Sequence, residues 1–175
     1  MSAQPKPNIL LRSATISDLP VLTWWDTQPH VIDSDDDDSD WNWEAELQRF
    51  PPWREQLIAE LDGRPIGIIQ IIDPAEEESH YWGEVAPNLR AIDIWIGEKE
   101  DLGKGYGTIM MTLAIEKCFA DEAVTAILID PLRSNTAAIR FYERLGFHFV
   151  ENRRFEQSDC AVYQLTREQW LRAVN

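Results

Sequence analysis

The stretch that decides the fold runs from Arg90 to Asn135, RAIDIWIGEKEDLGKGYGTIMMTLAIEKCFADEAVTAILIDPLRSN, and continues as TAAIRFYERLGF to Phe147. Residues 91–96 form an apolar run with one carboxylate, Asp93, set inside it, and read as a strand. Residues 102–108 form a glycine-rich turn, and residues 107–119 form the helix it opens. Residues 124–129 are a second apolar strand. A helix over 135–145 follows, with Asn135 as its cap and Gly146 in the usual stop position.

Gly103, Gly105 and Gly107 strip side chains from a strand-to-helix turn. Backbone N–H groups then converge on one point, and the helix N-terminus adds partial positive charge. That pattern suits a phosphate or pyrophosphate, and Lys104 adds a formal charge. The spacing is neither that of a Walker loop nor that of a dinucleotide fingerprint. A tight turn that simply needs glycine explains the same residues equally well. Downstream, Asn135 and Tyr142 are seven residues apart and share one helical face. Each has a plainer reading, Asn135 as a cap and Tyr142 as a core aromatic.

Outward from this stretch, residues 1–7 read as a flexible lead to a single domain over 8–175. Residues 9–12 are a short strand. A helix capped near Thr15 to Asp18 carries Trp24 and Trp25 and stops near Pro29. Six aspartates then crowd between Asp33 and Asp40, which predicts a solvated, self-repelling loop. Asp33, Asp35, Asp37 and Glu44 fall at calcium-loop spacings, but Asp38 stands where that loop needs glycine, so calcium is disfavoured. Asp40 is placed to cap a helix over 41–50, ended by Pro51-Pro52. Residues 55–61 and 65–72 read as a hairpin through Asp62-Gly63, with Gly67 marking a bulge or a close backbone approach. Strands over 147–154 and 161–166 and a short helix over 168–173 close the chain. The element order predicts a mixed sheet with helices on its faces.

The chain has 175 residues and a formal net charge of −15. That charge argues against nucleic acid and favours a cationic partner, although acidity also serves solubility. No apolar run approaches the roughly 18 residues of a membrane span, and the first ten residues lack a secretory pattern. The expectation is a soluble cytoplasmic protein, monomer or homodimer, without membrane contact. Cys118 and Cys160 form no metal or disulfide pattern, and His30, His80 and His148 are scattered, so no metal is expected.

Taken together, LGKGYGT and SNTAAIRFYERLGF resemble the GNAT family of acetyl-CoA-dependent N-acetyltransferases. Gly105 and Gly107 fit the family's Q/R-x-x-G-x-G/A pyrophosphate loop, while Leu102 stands where Gln or Arg is usual. The resemblance covers roughly residues 9–167. It implies a mixed, mostly antiparallel twisted sheet in an α/β (α+β) fold, with helices on both faces and a V-shaped cleft between the fourth and fifth strands. It implies acetyl-CoA as co-substrate, held by Ile94, Trp95, Ile96, Leu102, Gly103, Lys104, Gly105, Tyr106, Gly107, Thr108, Asn135, Ala138 and Tyr142. Within the family, GRPIGIIQ, Tyr81-Trp82, RAIDIWIG and Asp130-Pro131 are similar to the aminoglycoside 6′-N-acetyltransferases. That likeness implies an acceptor site with Asp93 and Asp130, and with Trp25, Tyr81 and Trp82 drawn from the aromatic residues.

The chemistry has its own logic. A protonated amine cannot attack a thioester, so a carboxylate must bind the cation and accept a proton. Asp93 sits where an unpaired carboxylate is costly, which suits a functional partner; an internal pair with Arg or a backbone contact is the alternative. Asp130 suits a second base or anchor. A backbone N–H of residues 94–96 suits the developing oxyanion. The resemblance suggests the Tyr142 hydroxyl as proton donor to the departing sulfur. The leading reading is therefore acetyl transfer from acetyl-CoA to an aminoglycoside 6′-amine, with Asp93, Tyr142 and Asp130 as catalytic residues. The competing readings are another acceptor (a peptide N-terminus, a polyamine or a siderophore precursor) and a non-catalytic CoA-binding interaction module.

Overall fold

The computed structural model describes residues 5–35 and 41–175. They build a seven-stranded sheet in the order β1-β2-β3-β4-β5-β7-β6. The strands are β1 (Ile9–Ser13), β2 (Arg54–Leu61), β3 (Arg64–Ile72), β4 (Leu89–Ile96), β5 (Ala126–Ile129), β6 (His148–Phe155) and β7 (Ser158–Thr166). All neighbouring pairs are antiparallel except β4 with β5. The Asp62-Gly63 hairpin forms, with both residues at positive φ, as the turn chemistry requires.

Helices cover both faces. On one lies α4 (Tyr106–Ala120), whose Met110, Met111, Ala114 and Ile115 pack on Ile69, Ile92 and Ile127. α5 (Thr136–Arg144) and α6 (Arg167–Val174) add Tyr142 and Trp170 to that core. On the other face lie α1 (Leu19–Trp25), α2 (Pro29–Ile32) and α3 (Trp43–Glu46). Leu22, Trp25, Trp43 and Leu47 pack there on Ile58 and Ile68. A third apolar cluster, with Trp82, Ala91, Leu128, Leu132 and Phe155, fills the same face beyond β4.

The helix expected over 41–50 is a single turn, α3, capped by Asn42, whose Oδ1 accepts from the Ala45 amide. Asp40 and the calcium-spaced Asp37 lie outside the described residues. Trp43 and Leu47 of that stretch are buried in the second core, while Trp41 and Phe50 are exposed. Gly67 is a close approach, because a Cβ there would sit 2.5 Å from the Trp95 carbonyl oxygen and 2.7 Å from the Met110 side chain.

One expectation is overturned outright. Trp25 does not line a pocket, because it is fully buried in the second core. Its indole lies against the backbone of Gly97, where a Cβ would stand 2.0 Å from the ring. α1 therefore docks directly on the chain that leaves β4. Gly97→Ala should lower stability by about 1–3 kcal/mol through overpacking, read as a shift in the denaturant midpoint at constant slope.

Candidate active site

The cleft arises from the way β4 and β5 part. They pair in register at Leu89 with Ala126, Arg90 with Ile127 and Ala91 with Leu128, and then diverge. β4 stays with β3 as far as Ile96. The chain after β5 follows β7 instead, through Ala161 N–H to the Pro131 carbonyl and Arg133 N–H to the Asp159 carbonyl, both 2.9 Å. Residues 92–96 thus have a strand partner on one side only. The Gly97 amide donates to the Ile66 carbonyl at 2.9 Å, which fixes the antiparallel alternation. Asp93 and Trp95 turn their backbone groups to β3, and Ile92, Ile94 and Ile96 turn theirs into the cleft. The Ile96 carbonyl among them is taken by His30 Nε2 at 2.9 Å; the unpaired ones suit an extended ligand that carries amides.

At one end of the cleft is the glycine turn. Gly103 and Gly105 have φ of +71° and +80°. This left-handed backbone is one that side-chain-bearing residues rarely adopt, so glycine is required there even though a Cβ would meet open space. Gly105 caps α4, and the Ile109 amide makes the first bond back to it. The N–H groups of residues 105–108 therefore remain available to an anion. Gly107 lies against Ile96 and Phe141, so the turn, β4 and α5 meet there. The turn is braced from behind by Arg64, whose two terminal nitrogens donate to the buried Asp101 carboxylate at 2.8 and 2.9 Å. The Arg64 bonds hold that carboxyl below its ordinary pKa. Asn135 caps α5, with its Oδ1 accepting from the Ala138 amide at 3.1 Å.

At the other end is a group of carboxylates. Strand alternation turns the Asp93 side chain to the face of the α1–α3 core, beside Gln70, its register partner on β3. Among the described residues the Asp93 carboxylate forms no ion pair, so the alternative of an internal pair does not hold there. Burial raises its pKa to about 7, helped by the charges of Asp130 and Asp35. Asp130 is likewise raised to about 6, chiefly by burial, although a hydrogen bond from Tyr81 opposes the rise. That bond runs from the Tyr81 hydroxyl to Asp130 Oδ2 at 2.5 Å. The Tyr81 ring stacks on Phe155 with centroids 4.6 Å apart. Trp82, expected to line the pocket, is only 5% exposed and packs edge-on beneath Tyr81 and Phe155, as a floor to the exposed ring. Tyr142 is raised by burial, then by the charges of Asp93 and Asp130, so its hydroxyl stays protonated.

Gln70 and His30 carry no site signal in the sequence, and Asp35 reads there only as part of the acidic loop. Gln70 is buried, and its Oε1 accepts from Gln56 at 3.3 Å. Its only local mark is to be a lone amide among isoleucines in GIIQII. His30 Nε2 lies 2.9 Å from the Ile96 carbonyl, a contact across 66 residues with no local sequence mark. Among the described residues no group of histidine, cysteine, aspartate and glutamate is arranged to hold a metal, and no helix is long and apolar enough to cross a membrane.

Because the Asp93 pKa is raised on folding, its ionised form opposes the folded state. Its favourable contribution is complete below the ordinary aspartate pKa and is lost as pH rises through about 7. Asp93→Asn should therefore raise the melting temperature at about pH 8 and leave it nearly unchanged at about pH 4. A thermal unfolding series across pH measures this.

Comparison with known proteins agrees with this geometry. The family described as acetyltransferase (GNAT) domain matches residues 15–155. The aminoglycoside N(6′)-acetyltransferase type 1 of Klebsiella pneumoniae is 32% identical over 148 residues, covering 80% of this chain and 74% of that protein. The structure of aminoglycoside acetyltransferase AAC(6′)-Ib in complex with coenzyme A and kanamycin superposes with a TM-score of 0.84 at 29% identity, over 96% of this chain and 100% of that one. The structure of AAC(6′)-Ib with ribostamycin and coenzyme A gives 0.85, also at 29% identity, over 95% and 98%. The half-open β4, the glycine turn at its end and the carboxylates beside it belong to one architecture, and this chain is a member of the GNAT acetyltransferase family.

Proposed function

We propose that this enzyme transfers acetyl from acetyl-CoA to the 6′-amine of an aminoglycoside. The observation that carries the proposal is the position of Asp93. It is an ionisable group without an ion pair among the described residues, on the one-sided half of β4, with Asp130 and Asp35 close enough to raise its pKa. Bound acetyl-CoA supplies the activated acetyl group. The residues around it divide the remaining work.

The N–H groups of residues 105–108, with Lys104, suit the pyrophosphate, and Leu102, Gly103 and Tyr106 shape the turn around it. The cleft-side backbone of Ile94 and Ile96 suits the amides of the pantetheine arm, beside Trp95, Ala138 and Asn135. Asp93 takes a proton from the acceptor ammonium, directly or through water. The freed amine bonds to the acetyl carbon, the C–S bond breaks, the Tyr142 hydroxyl protonates the departing sulfur, the second proton shed by the nitrogen restores Tyr142 through water, and Asp93 releases the first to solvent. Asp130 and Tyr81 hold a further ammonium or hydroxyl of the acceptor.

A carboxylate group of this kind attracts an acceptor bearing several positive charges. Like charges repel within it, and a polycation relieves that repulsion. The net charge of −15 steers such a molecule toward the protein from a distance. The reaction is read as cytoplasmic, in a chain whose residues 8–175 act as one domain, monomer or homodimer.

A panel of amines read by release of free CoA tests the acceptor. Aminoglycosides with a 6′-amine should turn over, and congeners with a 6′-hydroxyl should not. Turnover of polyamines or peptide N-termini in place of the 6′-amines would move the enzyme to another acceptor class, and CoA binding without any turnover would make it an interaction module.

A further inference from the structure

The open half of β4 lacks support from β5, yet its end is held firmly. Three residues of the α1–α2 segment touch three consecutive residues there. Trp24 Nε1–H donates to Glu98 Oε1 at 3.0 Å. The Trp25 ring lies on Gly97. His30 Nε2 lies 2.9 Å from the Ile96 carbonyl oxygen. A carbonyl only accepts, so His30 carries a proton on Nε2 and donates it.

The Ile96 carbonyl is one of the groups that strand alternation turns into the cleft, where no strand receives it. His30 satisfies it from the acceptor face. Among the described residues, this is the side-chain hydrogen bond that ties residues 29–34 to the rest of the protein, because the Ser34 hydroxyl bonds only to the nearby Val31 carbonyl. α2 is a four-residue turn and cannot hold its own position. Three residues after it comes Asp35, whose charge is felt at both Asp93 and Asp130.

We propose that His30 is a positioning residue of the acetyl-transfer site. Its hydrogen bond to the Ile96 carbonyl pins α2 on the open half of β4 and so seats Asp35, three residues beyond α2, near the acceptor end. The proposal rests on the acetyl-transfer reading for its kinetic consequence and on geometry alone for its structural one. His30 touches neither the acceptor nor the reacting atoms in this account. It sets where the charge of Asp35 stands relative to Asp93, and through the same bond ties residues 33–35 to the strand along which the cofactor arm lies.

The test uses the full chain with His30→Ala and His30→Gln, because the glutamine amide keeps an N–H of similar reach. Hydrogen exchange over residues 29–35 should speed up in the alanine variant and return toward wild type in the glutamine variant. Loss of one such bond corresponds to about a five- to tenfold rise in the acceptor KM, with the acetyl-CoA KM unchanged and the acceptor KM largely restored by glutamine. Unchanged exchange and acceptor KM in His30→Ala overturn the proposal. So does an equal loss of stability and of both KM values in the two variants, which would mark His30 as structural only. Wild-type protein that releases no CoA with any amine defeats the acetyl-transfer reading instead, and the exchange experiment then decides the role of His30 by itself.

Discussion

The parting of two parallel strands controls the rest of this structure. β4 and β5 share three residue pairs and then separate, because the chain after β5 keeps its hydrogen bonds to β7. A strand edge opened inside a sheet carries backbone donors and acceptors that require partners. Under the proposed function that requirement is directed at a ligand. The amides of a pantetheine arm can continue the sheet where β5 leaves it, and the helix start at Gly105 stands ready for the phosphates at its end. The proposed cofactor site is in this sense an unfinished sheet rather than a cavity cut into a finished one.

The same opening separates two electrostatic regimes. At the glycine turn the available charge is positive, from amide N–H groups and Lys104. Toward Asp93 it is negative: Asp130 and Asp35 raise the cost of ionising Asp93, and Asp35 raises that of Asp130. A carboxylate with a pKa near 7 is half ionised near neutral pH, strong enough as a base and still able to release its proton afterwards. A cationic acceptor would pull such a group toward its charged form, so under the proposed function binding and activation of the base are linked. Tyr142, held protonated by burial and by those same carboxylates, is suited to the opposite task.

How much of this could be read from the chain follows from the range of each interaction. Gly103 and Gly105 were legible because a positive φ leaves glycine almost without competitors. The α5 helix was legible because Asn135 caps it and Gly146 ends it within a few residues. Asp93 was legible because a carboxylate among isoleucines has few structural reasons to be there. Trp25 was misread, since nothing local distinguishes a tryptophan that fills the space over Gly97 from one that greets a ligand. The places of His30, Gln70 and Asp35 at the site were not legible because each acquires its meaning from a partner far away in sequence: Ile96, Asp93 and the two cleft carboxylates. The helix expected after the acidic run failed for a related reason, since a core formed with β2 and β3 fixes the orientation of Trp43. Local propensity describes a segment; it does not say what the segment will be pressed against.

The central claim is that a carboxylate on the open half of β4 activates the acceptor amine. The pH dependence of kcat/KM for the acceptor, compared between the wild-type enzyme and Asp93→Asn, addresses it most directly. With Asp93 as the base, the wild type shows an ascending limb with an apparent pKa near 7, the value to which burial pushes Asp93. In the variant that limb should be absent and the residual rate should lie lower by about two to four orders of magnitude. The same limb in both proteins, with similar rates on its plateau, would contradict it.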